Sequence, residues 1–297
     1  MANLIPPSIM AVVYGATGNV SIGGLFLAGI APGFVVGIGL MIYSHFFGPV
    51  GMKKARASLC DFAAAARASV LPMMIPVIIM GGILTGWFTP TEAGMIASVY
   101  ILLVVVPLLN PAHIRHLPRD FVYTGLLYSI PLALVAAASA FGWMLAYLRG
   151  PDIVAGWIQT YAGTDGRMIM FLLVLLFIVI GDFMDAVPAI IIFMPIIIKL
   201  NELGNINPLH MGVVIITTLV FGLITPPYGL SLLVASKFVG VQFSKAMYAS
   251  LPIYIVFFVT IGFTVFFPDV VLYLPKLLLP ESVGCFKGPA GNYICPP

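Results

Sequence analysis

Apolar residues run on in this chain over lengths that a soluble helix does not need. Residues 23–46, 122–148 and 247–267 contain no Asp, Glu, Lys or Arg, and roughly 20 such residues cross ~30 Å of hydrocarbon. The ~10-residue alternating segments of a membrane β-barrel are not visible. The pattern predicts an all-α, polytopic membrane protein with interrupted helices.

The breaks in the apolar pattern divide the chain. Residues 1–22 read as the second half of a hairpin or broken helix, leading into a spanning helix over 23–46. Residues 47–70 set Lys and Arg among Ala, Leu and Phe at helical spacing, which predicts an amphipathic helix on the cytoplasmic face. Residues 71–148 hold further spans. The stretch 71–110 is too long for one crossing and is broken at GGILTGWFTPTEAG (81–94), because Pro90 cannot sit inside an ordinary helix. Glu92 is either a ligand or relay residue, or the third residue of a helix capped by Thr89 or Thr91. A polar loop at 149–167 is followed by an interrupted span at 168–200, broken at GDFMD (181–185). Residues 209–240 carry TPPYG at their centre and predict a re-entrant hairpin, 246–267 a last span, and 268–297 an extramembrane tail.

Composition narrows the class. With 61% hydrophobic and 8% charged residues, against ~25% charged in soluble domains, a water-soluble globule is excluded. The net charge of +3 carries no sign of a nucleic-acid partner; the partner is the lipid bilayer. Lys53, Lys54, Arg56 and Arg67 mark one loop, and Arg115 and Arg119 with His113 and His116 another. The positive-inside rule places both in the cytoplasm and 149–167, where Arg149 and Arg167 face Asp152 and Asp165, on the periplasmic side. Cys60, Cys285 and Cys295 form no framework; the last two are either free thiols or a pair in the tail.

Candidate chemistry gathers at the breaks. Pro6-Pro7 and Pro226-Pro227 lie 220 residues apart, and the same offset places Pro32 on Pro252. Paired interruptions of this kind point to the substrate and ion site of a secondary transporter. In FGLITPPYGL (221–230) two prolines remove two backbone donors, while Gly222 and Gly229 permit close approach. Carbonyls freed there, with the hydroxyls of Thr217, Thr218 and Thr225, suit a hard cation such as Na⁺, and nearby half-helix N-termini suit an anion. Asp182 and Asp185 are intramembrane ionisable groups, functional by default; Asp185 is the preferred ligand. No His/Cys/Asp spacing resembles a metal-binding motif. No nucleotide-binding loop or nucleophile–base pair is evident, so an enzyme is not expected and no cofactor beyond a coupling Na⁺ is implied.

LIPPSI (4–9), SIGGLFLAGIAPG (21–33), GGILTGWFTPTEAG, GDFMDAVPA (181–189) and GLITPPYGLSL (222–232) occur in that order. Together they resemble the large membrane subunit of TRAP transporters, the tripartite ATP-independent periplasmic type, from Leu4 to about Pro268. The resemblance implies a subunit of the bacterial inner membrane with a partial inverted-repeat fold. It implies a small membrane subunit and a periplasmic binding protein as partners, with a small carboxylate imported on a Na⁺ gradient by an elevator-type motion. Pro6, Pro7, Ser8 and Gly15 would belong to a first sodium-site tip. Gly222, Thr225, Pro226, Pro227 and Gly229 would belong to a second, with Asp185 close to it. The chain departs from the family at Thr218-Leu219 and Ser231, where asparagines are common, and at Gly24, where an acidic residue is frequent. The family also carries well over a hundred residues before the first Pro-Pro, so the expectation is an N-terminally truncated member. Alternatives are a non-transporting assembly partner and a stand-alone ion/carboxylate symporter.

Overall fold

A computed structural model describes residues 3–47, 58–227, 229–284, 286–287 and 293–294. The helices are α1 (Ile9–Gly18), α2 (Ile22–Phe47), α3 (Leu59–Leu84), α4 (Pro90–Tyr100), α5 (Val106–Leu109), α6 (Leu117–Tyr147), α7 (Gly150–Ala162), α8 (Gly166–Phe183), α9 (Ala186–Gly204), α10 (Pro208–Gly222), α11 (Leu230–Val239), α12 (Phe243–Phe266), α13 (Pro268–Val271) and α14 (Tyr273–Leu278). A π-helical turn, Ile101–Val105, makes α4 and α5 one rod. The described strands, β1 (Phe286–Lys287) and β2 (Tyr293–Ile294), form one short antiparallel pair. Among the described residues seven helical segments are long and apolar enough to span a bilayer. Large apolar side chains lie exposed along them, among them Phe34, Leu103, Phe121, Phe171 and Phe258. In water such surface would aggregate; against lipid it is the ordinary exterior. The protein is an all-α polytopic membrane protein.

The chain forms two compact units, Met1–Tyr43 with Leu134–Pro297, and Ser44–Ala133. In the second unit α3 runs unbroken for 26 residues, about 39 Å at 1.5 Å per residue. No boundary therefore falls at residue 70, where an amphipathic helix was expected to end. The basic residues Lys53, Lys54 and Arg56 lie outside the described residues. The break at 81–94 holds: α3 ends at Leu84, and Thr89 starts α4 through a capping box, its Oγ1 accepting from Glu92 N while Glu92 accepts from Thr89 N at 2.8 Å. Glu92 thus takes the capping alternative, which satisfies helix-end donors that lipid cannot.

The first unit is built around α10. Every residue from Leu209 to Gly222 is buried, as expected of a helix that is apolar all round, and α1, α8, α9 and α12 pack on it. The pair of successive helices that folds back on itself is α8 with α9. A Cβ on Gly166 would lie 2.8 Å from the Gly204 carbonyl oxygen, so the start of one meets the end of the other and the tip is Met184–Asp185. Residues 209–240, expected to fold back as a hairpin, instead form α10 and α11, and α11 packs against α12 rather than along α10. A Pro-Pro break looks alike in sequence whichever way the chain leaves it; packing decides.

The repeat extends beyond the prolines. Each Pro-Pro bond is cis. Each is followed by a ten-residue helix, α1 or α11, closed by a left-handed residue, Asn19 or Gly240. Each then leads into a long helix, α2 or α12, carrying an internal proline, Pro32 or Pro252.

Residues 149–167 are not a loop but contain α7. The charges that suggested a loop sit at helix ends: Arg149 precedes α7, Asp152 lies in its first turn and Asp165 caps α8. The tail is also structured as far as Gly284. Val271, Leu272 and Val283 are buried, and Asn207 Nδ2 donates to Val283 O at 2.8 Å while its Oδ1 caps α10 through Leu209 N. Cys285 and Cys295 lie outside the described residues. Because Asn207 serves both ends, Asn207→Ala should cost about 1–2 kcal/mol. A lower unfolding midpoint in detergent, with faster proteolysis around residues 279–284, is the expected result.

Candidate functional site

The second break is where backbone, hydroxyl and carboxylate chemistry converge. A helix continuing past Gly222 would pair the carbonyls of Gly222 and Leu223 with N–H groups at 226 and 227, and prolines have none. Other donors replace them. Phe221 O accepts from Ile224 N at 3.0 Å and from Thr225 Oγ1 at 2.8 Å; Gly222 O accepts from Thr225 N at 3.3 Å. Leu223 O accepts from Ser231 N across the break at 3.0 Å, and Ile224 O from Tyr254 Oη on α12 at 2.9 Å. Gly229 turns the chain into α11 with φ +39°, where a Cβ would also meet Thr225 O at 3.2 Å, so glycine is required there.

The end of α8 lies directly on this turn. A Cβ on Gly222 would stand 2.6 Å from the Gly181 carbonyl carbon and oxygen, a contact that requires glycine at 222. It brings the next residue, Asp182, to the break: its carboxylate reaches the Thr225 side chain, and its Oδ1 is buried without a hydrogen-bond partner among the described residues. Thr225 has one proton and uses it on Phe221 O. The hydroxyl therefore stands beside the Asp182 carboxylate with its proton committed elsewhere, and a carboxylate and a hydroxyl oxygen are ligands that a hard cation takes.

The other predicted residues are placed differently. Asp185 caps α9, accepting from Ala186 N at 2.9 Å, a structural use of its carboxylate. Thr217 and Thr218 are fully buried within α10 and donate to Val213 O and Val214 O at 2.7 and 2.8 Å. Pro226 and Pro227 form the turn itself, and Tyr228 lies outside the described residues. At the first break, Ser8 caps α1 by accepting from Ala11 N and donates to Asn3 O. With Phe26 and Thr217 it lines a small internal cavity. Gly15 is not brought to Pro6 and Pro7. It lies two turns further along α1, where a Cβ would collide with Ile22 Cγ1 at 2.5 Å, and its carbonyl accepts from Val20 N. The sequence pattern favours Asp185 over Asp182 and does not single out Tyr254. The signal for Asp182 was the glycine before it; nothing local marked Tyr254. No cluster of three or more His, Cys, Asp or Glu that could hold a metal occurs among the described residues.

Residues 1–270 match the family model described as "Tripartite ATP-independent periplasmic transporter, DctM component". The chain is 34% identical over 277 residues to the C4-dicarboxylate TRAP transporter large permease protein of Pseudomonas aeruginosa, covering 93% of this chain and 65% of the relative. It is 32% identical to the sialic acid TRAP transporter large permease protein of Vibrio cholerae, with the same coverages. To the 2,3-diketo-L-gulonate TRAP transporter large permease protein of Escherichia coli it is 30% identical over 92% of this chain and 64% of that one. The chain thus spans about 65% of the length of these relatives, which are permeases and not enzymes.

The two aspartates predict opposite signs. In sodium-free buffer Asp182→Asn replaces an unpaired carboxylate by an amide and should stabilise the fold by about 1 kcal/mol. Asp185→Ala removes a cap and should destabilise by about 1 kcal/mol. Thermal unfolding of the two variants beside the parent chain reads both.

Proposed function

Because the chain belongs to the DctM component family of tripartite ATP-independent periplasmic transporters, we propose that it is the large membrane subunit through which a small carboxylate enters a bacterial cell on a Na⁺ gradient. The observation that carries the sodium part is the Asp182 carboxylate at the helix break, which reaches Thr225 and whose Oδ1 is buried without a partner among the described residues. Asp182 and Thr225 are the residues that would hold the ion, and Gly222 and Gly229 allow the backbone geometry that brings them together.

A carboxylate anion and a cation bind together here for an electrostatic reason. In a low-dielectric site each lowers the cost of desolvating the other, and the mutual gain is a coupling free energy that acts in both directions. The N-terminus of α11 opens from the same break, and its positive dipole end favours the anion. Acidic cargoes named for relatives, C4-dicarboxylate and sialic acid, fit this chemistry. We assign the chain to the inner membrane, with a small membrane subunit and a periplasmic binding protein as its working partners. One relative, an isethionate TRAP permease from Oleidesulfovibrio alaskensis, carries the name DctMQ.

The test is uptake of a radiolabelled carboxylate into liposomes holding the assembled system. Uptake should require an inward Na⁺ gradient and fail when choline replaces sodium; equal uptake in choline would refute the sodium reading. Thr225→Val, which keeps the shape and removes the hydroxyl oxygen, should raise the half-saturating Na⁺ concentration about tenfold.

A further inference from the structure

One side chain outside the break reaches into it. Tyr254, half-buried in α12, donates its hydroxyl to Ile224 O at 2.9 Å. Ser250 Oγ, one turn earlier, lies 3.2 Å from the same Tyr254 oxygen and shares its one proton between that oxygen and Met247 O at 2.8 Å. The Tyr254 ring stands edge-on to Phe221 with centroids 5.5 Å apart. The ring is therefore held by packing while the hydroxyl does a separate task.

The bond matters because of where Ile224 stands. The peptide unit joining Ile224 to Thr225 is planar and rigid. Its carbonyl end is held by Tyr254 and its N–H end by Gly222 O at 3.3 Å. Thr225 Oγ1 is in turn directed by its own bond to Phe221 O. With both ends of the peptide held, the hydroxyl oxygen has one position relative to the Asp182 carboxylate. Released at the carbonyl end, the peptide rotates about its flanking torsions and carries Thr225 with it.

We propose that Tyr254 is a positioning residue for the cation site: it sets the Thr225 oxygen against Asp182 through the Ile224 carbonyl, and so ties sodium affinity to the placement of α12. This rests on the sodium reading given above and deepens it. Tyr254 does not touch the ion; it acts through one peptide plane.

The experiment uses the purified full chain in detergent. Its unfolding midpoint is followed against NaCl, with choline chloride holding ionic strength constant. The parent chain should show sodium-specific stabilisation with a defined half-saturating concentration. Tyr254→Phe keeps the ring and should raise that concentration about five- to tenfold. Ser250→Ala leaves the tyrosine in place and should raise it about two- to threefold; it also serves if Tyr254→Phe does not fold. Tyr43→Phe removes another tyrosine hydroxyl bond to the same helix, to Ala249 O at 3.3 Å, and should leave half-saturation unchanged. A merely structural Tyr254 would lower the midpoint equally in sodium and choline without moving half-saturation, and that result overturns its positioning role alone. A parent chain with no sodium-specific shift overturns the sodium reading, and the role of Tyr254 falls with it.

Discussion

Inside hydrocarbon a backbone carbonyl that loses its donor finds no water to replace it, and leaving it unpaired costs about 1–3 kcal/mol. Two adjacent prolines impose that loss twice at residues 226 and 227. The structure around them is largely the answer to this one deficit. Thr225 closes back on Phe221 and Gly222, Ser231 reaches across the break from α11, and Tyr254 reaches in from α12. The break is consequently a joint held by three helices, and the backbone carbonyls from Phe221 to Ile224 are occupied by protein donors. What remains open is a side-chain oxygen on the neighbouring helix, Asp182 Oδ1. A cation held here, as proposed, would draw on the carboxylate and the hydroxyl more than on the freed carbonyls that the Pro-Pro motif by itself suggests.

The parts of this arrangement that depend on spacing alone were legible before any coordinates. Run lengths marked the spans, and the T-P-T-E order at 89–92 carried the capping box that closes α4. The repeat at Pro6 and Pro226 was also plain, down to Pro32 and Pro252. Choices decided by packing were not legible. That α8 and α9 fold back on each other shows in Gly166 meeting Gly204, 38 positions away. Asp182 and Asp185 differ by three positions, yet one begins a helix and spends its carboxylate on the cap while the other ends a helix against Gly222. Arg149, Asp152 and Asp165 looked like loop charges because helix ends and loops recruit the same residue types. Tyr254 stands 30 positions from the carbonyl it holds, with no local pattern around it.

The repeat also shows why the two breaks differ in chemistry while sharing a backbone plan. By the 220-residue offset the counterpart of Ile224 is Leu4, of Thr225 is Ile5 and of Tyr254 is Phe34. Phe34 has no hydroxyl and the residue is 66% exposed. The Leu4 carbonyl is instead packed so closely on α2 that a Cβ at Gly29 would stand 2.8 Å from its oxygen. A carbonyl against a glycine Cα is held by close approach and a weak C–H contact, whereas one held by a phenol is oriented. Ile5 offers no oxygen where Thr225 offers one. The same backbone interruption thus has a closely packed carbonyl at Leu4 in the first break and a hydroxyl-held one at Ile224 in the second. The residues on the helix behind each break make that difference: Gly29, by lacking a Cβ, and Tyr254, through its hydroxyl.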